Sequence, residues 1–261
     1  MLSQVLTVED AESIRSVVPR SRYRTYTAAT PSRILEAAQL YVLDAQARGA
    51  LLELVHFAEV GVRDAIHQEL RSAYGPHWFK GRTVILDDRT RARFREVEEM
   101  MDWNGSSPER VIAEVSFGAW TALLEVGAAS DGSHGALAGR ADYERDLWDG
   151  RLENVFSGIT ADRFAAAALM RRVQRLRNRV AHHESVVFGV HQHGEKDSKN
   201  NYRRQEPLSA LRDVRSLLDH FCLNGSAWLL TCRHTDELLT QQLATDALAH
   251  AKATRKQTIW F

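Results

Sequence analysis

Six apolar residues, Leu51, Val55, Ala58, Val62, Ile66 and Leu70, recur at steps of three and four. That spacing lays them along one stripe of an α-helix, because a helix repeats every 3.6 residues and a strand every two. The stripe should end near Tyr74-Gly75-Pro76, a strong helix breaker. Just upstream, Thr30 is placed to cap and Pro31 to open a helix carrying Ile34, Ala38, Tyr41 and Ala45. Ser107-Pro108 should start another, with Ile112, Val115, Ala119 and Leu123 on its apolar side. A further helix is expected from about Ala161 to His183, and Pro207 should open a last long one through Leu211, Val214, Leu218 and Phe221.

Between these lie GAASDGSHGALAG, which reads as a mobile loop, and GVHQHGEKDSKNNYRRQE, which reads as polar and exposed. With five prolines and few β-branched runs, the chain is expected to be all-α. The organisation is one helical domain over residues 1–261, divisible into lobes 1–126 and 142–261 joined by the small-residue stretch 127–141.

A chain of 261 residues that is 44% hydrophobic can bury a substantial core, so disorder is not expected. Its 34 basic side chains balance 34 acidic ones, which argues against a surface coated with nucleic acid but leaves room for a local basic patch. No run of about 18 apolar residues is present, so no membrane span is expected. The opening MLSQVLTVEDAESIR has early acids and no apolar centre, unlike a secretory signal. Two cysteines, Cys222 and Cys232, exclude a disulfide framework and suit reduced thiols. The expected setting is the cytoplasm.

The stretch RRVQRLRNRVAHHES, residues 171–185, is chemically the most informative. On a helix Leu169, Val173, Leu176 and Val180 share an apolar stripe, while Arg171, Arg175, Asn178 and His182 line up within about 60° on the far side. His183 rotates toward the apolar flank. His182 is therefore the better candidate for chemistry and His183 for packing or support. The plain alternative is a solvated arginine face ending in a histidine that complements the helix dipole.

The words in this stretch narrow the choice. Arg177-Asn178-Arg179-Val180-Ala181-His182 resembles the R-N-x-x-x-H signature of HEPN domains, and LRNRVAHHE (residues 176–184) resembles the abortive-infection (Abi-like, AbiD/AbiF-type) branch of that superfamily. EVGVRDAIHQELRSAYGPHWF (59–79) is similar to that branch's N-terminal helix, with its E-x-x-x-R pair and Y-G-x-x-W ending. EVSFGAWTALL (114–124) is similar to its S-F-G-x-W element, and LWDGRLENVF (147–156) to its next W…F segment. The four segments occur in the expected order over roughly residues 22–188. Two departures stand out. Arg63-Asp64 replaces a common Arg-Asn, and Arg63 and His67 are one residue too close for a second R-x-x-x-x-H.

The resemblance implies a HEPN-type helical bundle with additional N- and C-terminal helices. It implies a metal-independent endoribonuclease with no cofactor, cleaving RNA through attack by the ribose 2′-hydroxyl to leave a 2′,3′-cyclic phosphate. His182 would serve as the base, since imidazoles exchange protons near neutral pH. Arg177 would stabilise phosphate charge and Asn178 would orient. Arg171, Arg175 and Arg179 would hold RNA phosphates without reading sequence. His183, Glu184, Glu59 and Arg63 are supporting candidates. One motif supplies one histidine, so a homodimer with facing Arg177 helices is expected, and the branch's association with phage defence and toxin–antitoxin systems implies an antitoxin, protein or non-coding RNA.

Two rival readings come from the same residues. One is a non-catalytic RNA-binding or scaffold protein that uses the basic face alone. The other is a metal site built from His182, His183, His191 and His193, disfavoured because the first two diverge on a helix and the last two sit in a polar stretch. Trp78, Trp120 and Trp148 are expected to fill core, Glu59 and Arg63 to form a modest surface ion pair, and the terminal TIWF to dock on the body or a partner.

Overall fold

The computed structural model describes residues 6–31, 33–101, 107–159, 162–196, 200, 202–221 and 231–254, with the side chains of 193–195 and 231–233 outside the description. Cys222 and the terminal TIWF fall outside the described residues, as do the side chains of Cys232 and His193. The fold is all-α in class, with two short antiparallel hairpins. Helices α1 (Val8–Val17) and α2 (Arg20–Ala29) precede α3 (Ile34–Tyr74), and α4 (Asp88–Met100), α5 (Pro108–Glu114) and α6 (Phe117–Ala122) follow. Strands β1 (Ala129–Asp131) and β2 (Ala138–Arg140) come next, then a helical segment Glu144–Leu152 broken at Asp149-Gly150, then α7 (Glu153–Phe156). The chain continues through α8 (Arg163–Ala181), β3 (Val190–Lys196), β4 (Tyr202–Gln205), α9 (Pro207–Phe221), α10 (Thr231–Leu239) and α11 (Gln242–Ala253). Among the described residues no helix is long and apolar enough to cross a membrane.

Helix α3 is a single element of 41 residues where the sequence suggested two. Its second half follows the expected stripe, with Leu51, Val55, Ala58, Val62, Ile66 and Leu70 all buried. Its first half is rotated from expectation. Ala38 is buried and Tyr41 half-buried as expected, but Ile34 and Ala45 are exposed, and the buried side also takes in Ala37, Leu40, Asp44, Ala47 and Arg48. Thr30 does not cap α3. It ends α2, where its hydroxyl donates to the Tyr26 carbonyl at 3.0 Å. The expected helix after Ser107-Pro108 breaks at Val115-Ser116, both extended, and restarts as α6 with Ser116 at its N-cap.

Both expected loops contain strands instead. In the first, β1 and β2 pair in the register Ala129↔Arg140 and Asp131↔Ala138. The Arg91 guanidinium fixes the turn between them, donating to the Ser133 carbonyl at 2.8 Å and to Asp131 at 3.2 Å. In the second, β3 and β4 pair Val190↔Gln205 and Gln192↔Arg203, with Val190 and Gln192 buried. Pro207 opens α9 as expected, but α10 and α11 follow it.

The chain divides into two compact units that do not follow the 127–141 boundary. One comprises residues 1–55, 175–214 and 226–261. The other comprises 56–174 and 215–225, with the 127–141 stretch inside it. The core of the second unit centres on Trp78, Phe79, Phe94 and Trp120, whose rings meet with Trp78–Phe94 centroids 5.3 Å apart and Trp78–Trp120 6.2 Å apart. Trp148 stacks on Phe156 nearby in sequence at 6.1 Å. All three tryptophans therefore fill core. His67 belongs there too: it is buried and its Nδ1 accepts from Trp78 Nε1 at 3.2 Å. Burial, aided by the Arg71 charge, pushes its imidazole below the ordinary histidine range. In the first unit Tyr23, Tyr26 and Tyr41 cluster, and Tyr26 meets Phe188 at 5.4 Å.

Candidate functional site

Helix α8 delivers the R-x-x-x-x-H residues to the point where the chain leaves the helix. Its apolar stripe, Leu169, Val173, Leu176 and Val180, is buried as expected, so the opposite face must turn outward. Asn178 and His182 are exposed one turn apart, and Arg177 is half-buried. Among the described residues neither the Asn178 amide nor the His182 imidazole has a hydrogen-bond partner for its side chain.

The helix ends by a specific device. The His183 amide donates to the Val180 carbonyl at 3.2 Å and the Glu184 amide to the Arg179 carbonyl at 2.9 Å, the paired bonds of a Schellman cap. The His182 amide still donates to the Asn178 carbonyl at 2.9 Å, so His182 keeps helical register. His183 does not. It occupies the left-handed cap position with φ 57°, a place that favours glycine, and its side chain is exposed. The expectation that His183 turns to the apolar flank extrapolated a helix that has already ended. Replacing it by glycine relieves the left-handed backbone while keeping every bond of the cap. His183→Gly should therefore melt at or above the wild-type temperature. A fall of several degrees in a thermal melt would show that the imidazole itself is needed for folding.

Behind the cap lies a buried polar cluster that sequence reading missed. Asp44 has no solvent exposure. Its Oδ1 accepts from the Val186 and Val187 amides at 2.8 and 3.0 Å and from the Ser185 hydroxyl at 3.1 Å. Its Oδ2 accepts from the Tyr26 hydroxyl at 2.7 Å and pairs with Arg48 at 3.1 Å. Arg48 in turn donates from Nη1 to the His183 carbonyl at 2.6 Å. Burial, with the Asp44 charge beside it, pushes the Tyr26 hydroxyl far up from its usual range, so it acts as a fixed donor. One carboxylate and one guanidinium thus clamp the turn 183–187 that follows His182. The signal was present in the sequence: Asp44 and Arg48 form an i,i+4 charged pair on the side of α3 that is otherwise apolar.

The arginines expected to hold phosphate are largely engaged within the protein. Arg171 pairs with Glu125 in the second unit. Arg175 donates from Nη1 to Gln192 Oε1 at 2.5 Å, which anchors β3 to α8. Arg179 donates from Nε to the Ser185 carbonyl at 2.7 Å and pairs with Glu184 at 3.4 Å, and burial lowers the pKa of its guanidinium. Glu184 remains exposed at the turn. The Glu59–Arg63 pair, expected on the surface, is mostly buried in the second unit, where Arg63 Nη1 also donates to the Ala113 carbonyl at 2.8 Å and ties α3 to α5. His191 lies in β3, and among the described residues no three His, Cys, Asp or Glu side chains come together as metal ligands.

Comparison with family models, with curated proteins and with solved structures finds no match to this chain.

Proposed function

We propose that this chain is a HEPN-type, metal-independent endoribonuclease of the abortive-infection kind, working in the cytoplasm on RNA. The observation that carries the reading is the end of α8, where Asn178 and His182 stand exposed beside Arg177 without side-chain partners among the described residues, on a turn clamped by Asp44 and Arg48. A preorganised backbone with unengaged polar side chains suits a site completed by substrate. In this reading His182 takes the proton from a ribose 2′-hydroxyl. The 2′-oxygen bonds to phosphorus, the bond from phosphorus to the 5′-oxygen breaks, and Arg177 stabilises the charge developing on the phosphoryl oxygens. The products are a 2′,3′-cyclic phosphate and a 5′-hydroxyl, and DNA is spared because it lacks the attacking group.

The leaving 5′-oxygen needs a proton, and no described side chain orients the His182 ring. Both needs are met by a homodimer in which the α8 ends of two copies share one phosphate. Such a dimer predicts twice the monomer mass by light scattering at micromolar concentration, and a monomer under cleaving conditions removes this part of the proposal. An antitoxin, protein or RNA, would hold the enzyme in check before phage infection triggers it.

A second reading is an RNA-binding scaffold without cleavage, which the internal engagement of Arg171, Arg175 and Arg179 weakens because those arginines form the face it would use. Labelled single-stranded RNA incubated with the purified chain in excess EDTA separates the two. Cleavage to 2′,3′-cyclic ends supports the nuclease. Intact RNA, bound equally by wild type and His182→Ala, supports the scaffold.

A further inference from the structure

Three of the α8 arginines are held by internal partners, whereas helix α2 of the first unit carries exposed arginines. Arg20, Arg22 and Arg24 of α2 are all exposed, and among the described residues none has a carboxylate within ion-pair distance. Helix α2 contains no acidic residue at all. Arg20 and Arg22 sit in its first turn, where the helix dipole disfavours cations, and no side chain caps that end. A helix that places three arginines within five positions against its own dipole, with no acid to offset them, is locally unfavourable, and such conflicts mark sites kept for a ligand.

Helix α2 is also fixed to the candidate site. Its buried side carries Tyr23 and Tyr26, so the arginines are turned outward. Tyr26 donates to Asp44, the carboxylate that holds the Val186 and Val187 amides, and its ring packs on Phe188. Val186 lies four positions after His182.

We propose that Arg20, Arg22 and Arg24 form a phosphate-binding surface that holds the RNA strand outside the cleavage position. The inference rests on the nuclease reading for its choice of polyanion. Guanidinium groups bind phosphate by paired charge-assisted hydrogen bonds, and three of them spread along the first half of one helix suit a backbone rather than a single ion. Because these contacts go to phosphates, they hold RNA irrespective of base sequence.

The test uses the full chain carrying His182→Ala, so that RNA stays intact, with and without Arg20→Gln, Arg22→Gln and Arg24→Gln together. Their side chains are exposed and make no hydrogen bond or ion pair among the described residues, so the triple variant should melt like its parent. Binding of a labelled 30-nucleotide single-stranded RNA is measured across a range of salt concentrations. Each lost phosphate contact flattens the slope of log affinity against log salt by about 0.7, so the triple change should flatten it by about 2. In the His182 background restored to wild type, the triple variant should cut a dinucleotide as fast as the parent but cut the 30-mer more slowly at low RNA concentration. An unchanged slope in a protein that binds RNA overturns this inference and leaves the nuclease reading standing. Absence of RNA binding in both proteins overturns both. Loss of binding to anionic vesicles in the triple variant, with RNA binding unchanged, assigns the patch to a lipid surface and overturns the inference.

Discussion

Replacing His182 with alanine is expected to slow RNA cleavage by roughly 10²–10⁴-fold while leaving the thermal melt within a degree or two of wild type. The first figure is what a positioned general base contributes to proton transfer. The second follows from the structure, because the imidazole is exposed and bonded to nothing among the described residues, and the amide that closes the helix survives the substitution. Arg177→Ala should cost a comparable factor through lost charge stabilisation, roughly 10²–10³-fold. Both effects should appear in kcat, since each group is asked to act on charge that develops during the reaction rather than on bound RNA. The double variant should be little slower than the worse single one, because residues acting on one transition state are not additive. Cleavage that persists in both variants, at rates within a few-fold of wild type, would falsify the assignment of this helix end as the reacting centre.

The site was legible in the sequence as far as the helix that bears it was regular. The stripe Leu169, Val173, Leu176 and Val180 orients α8 without help from any other element, so the outward position of Asn178 and His182 could be read directly. One residue further the same rule failed. His183 sits beyond the last helical bond in a left-handed conformation that a wheel cannot represent, and histidine does not announce a cap as glycine does.

Helix α3 shows the same contrast within one element. Its second half carries an uninterrupted apolar stripe, whereas in the first half Asp44 and Arg48 occupy buried positions and disguise the true face. The hairpins were illegible for a different reason. Strands of three to seven mostly polar residues are stabilised by what they meet in space, such as Arg91 at the first turn and Arg175 on Gln192 in β3. In the turn from Phe188 into β3, Gly189 has φ 86° and a Cβ there would approach the Gln205 carbonyl to 3.1 Å, a constraint set by the partner strand. The engagement of Arg171, Arg175 and Arg179 likewise depends on partners distant in sequence or placed by the turn, and no helical spacing reveals it.

Asp44→Ala is the substitution expected to cost most in stability. It strands the Arg48 guanidinium, which is only 8% exposed, and leaves the Val186 and Val187 amides, the Ser185 hydroxyl and the Tyr26 hydroxyl without their acceptor. Breaking a buried ion pair from one side typically costs about 3–5 kcal/mol. For a chain of this size that corresponds to a fall in Tm of roughly 6–20 °C. Removing the guanidinium as well, as Asp44→Leu with Arg48→Met, should recover part of the loss, because no charge is then left buried alone. The recovery separates the two jobs of the cluster. Stability returns with apolar packing, but the hold on the His183 carbonyl and on the 186–187 amides does not. In the repacked double variant, cleavage measured well below its Tm should therefore remain depressed, with the loss in kcat rather than in RNA affinity. A double variant that regains both stability and wild-type cleavage would mean that the turn after His182 holds its shape without the clamp, and that Asp44 and Arg48 serve folding alone.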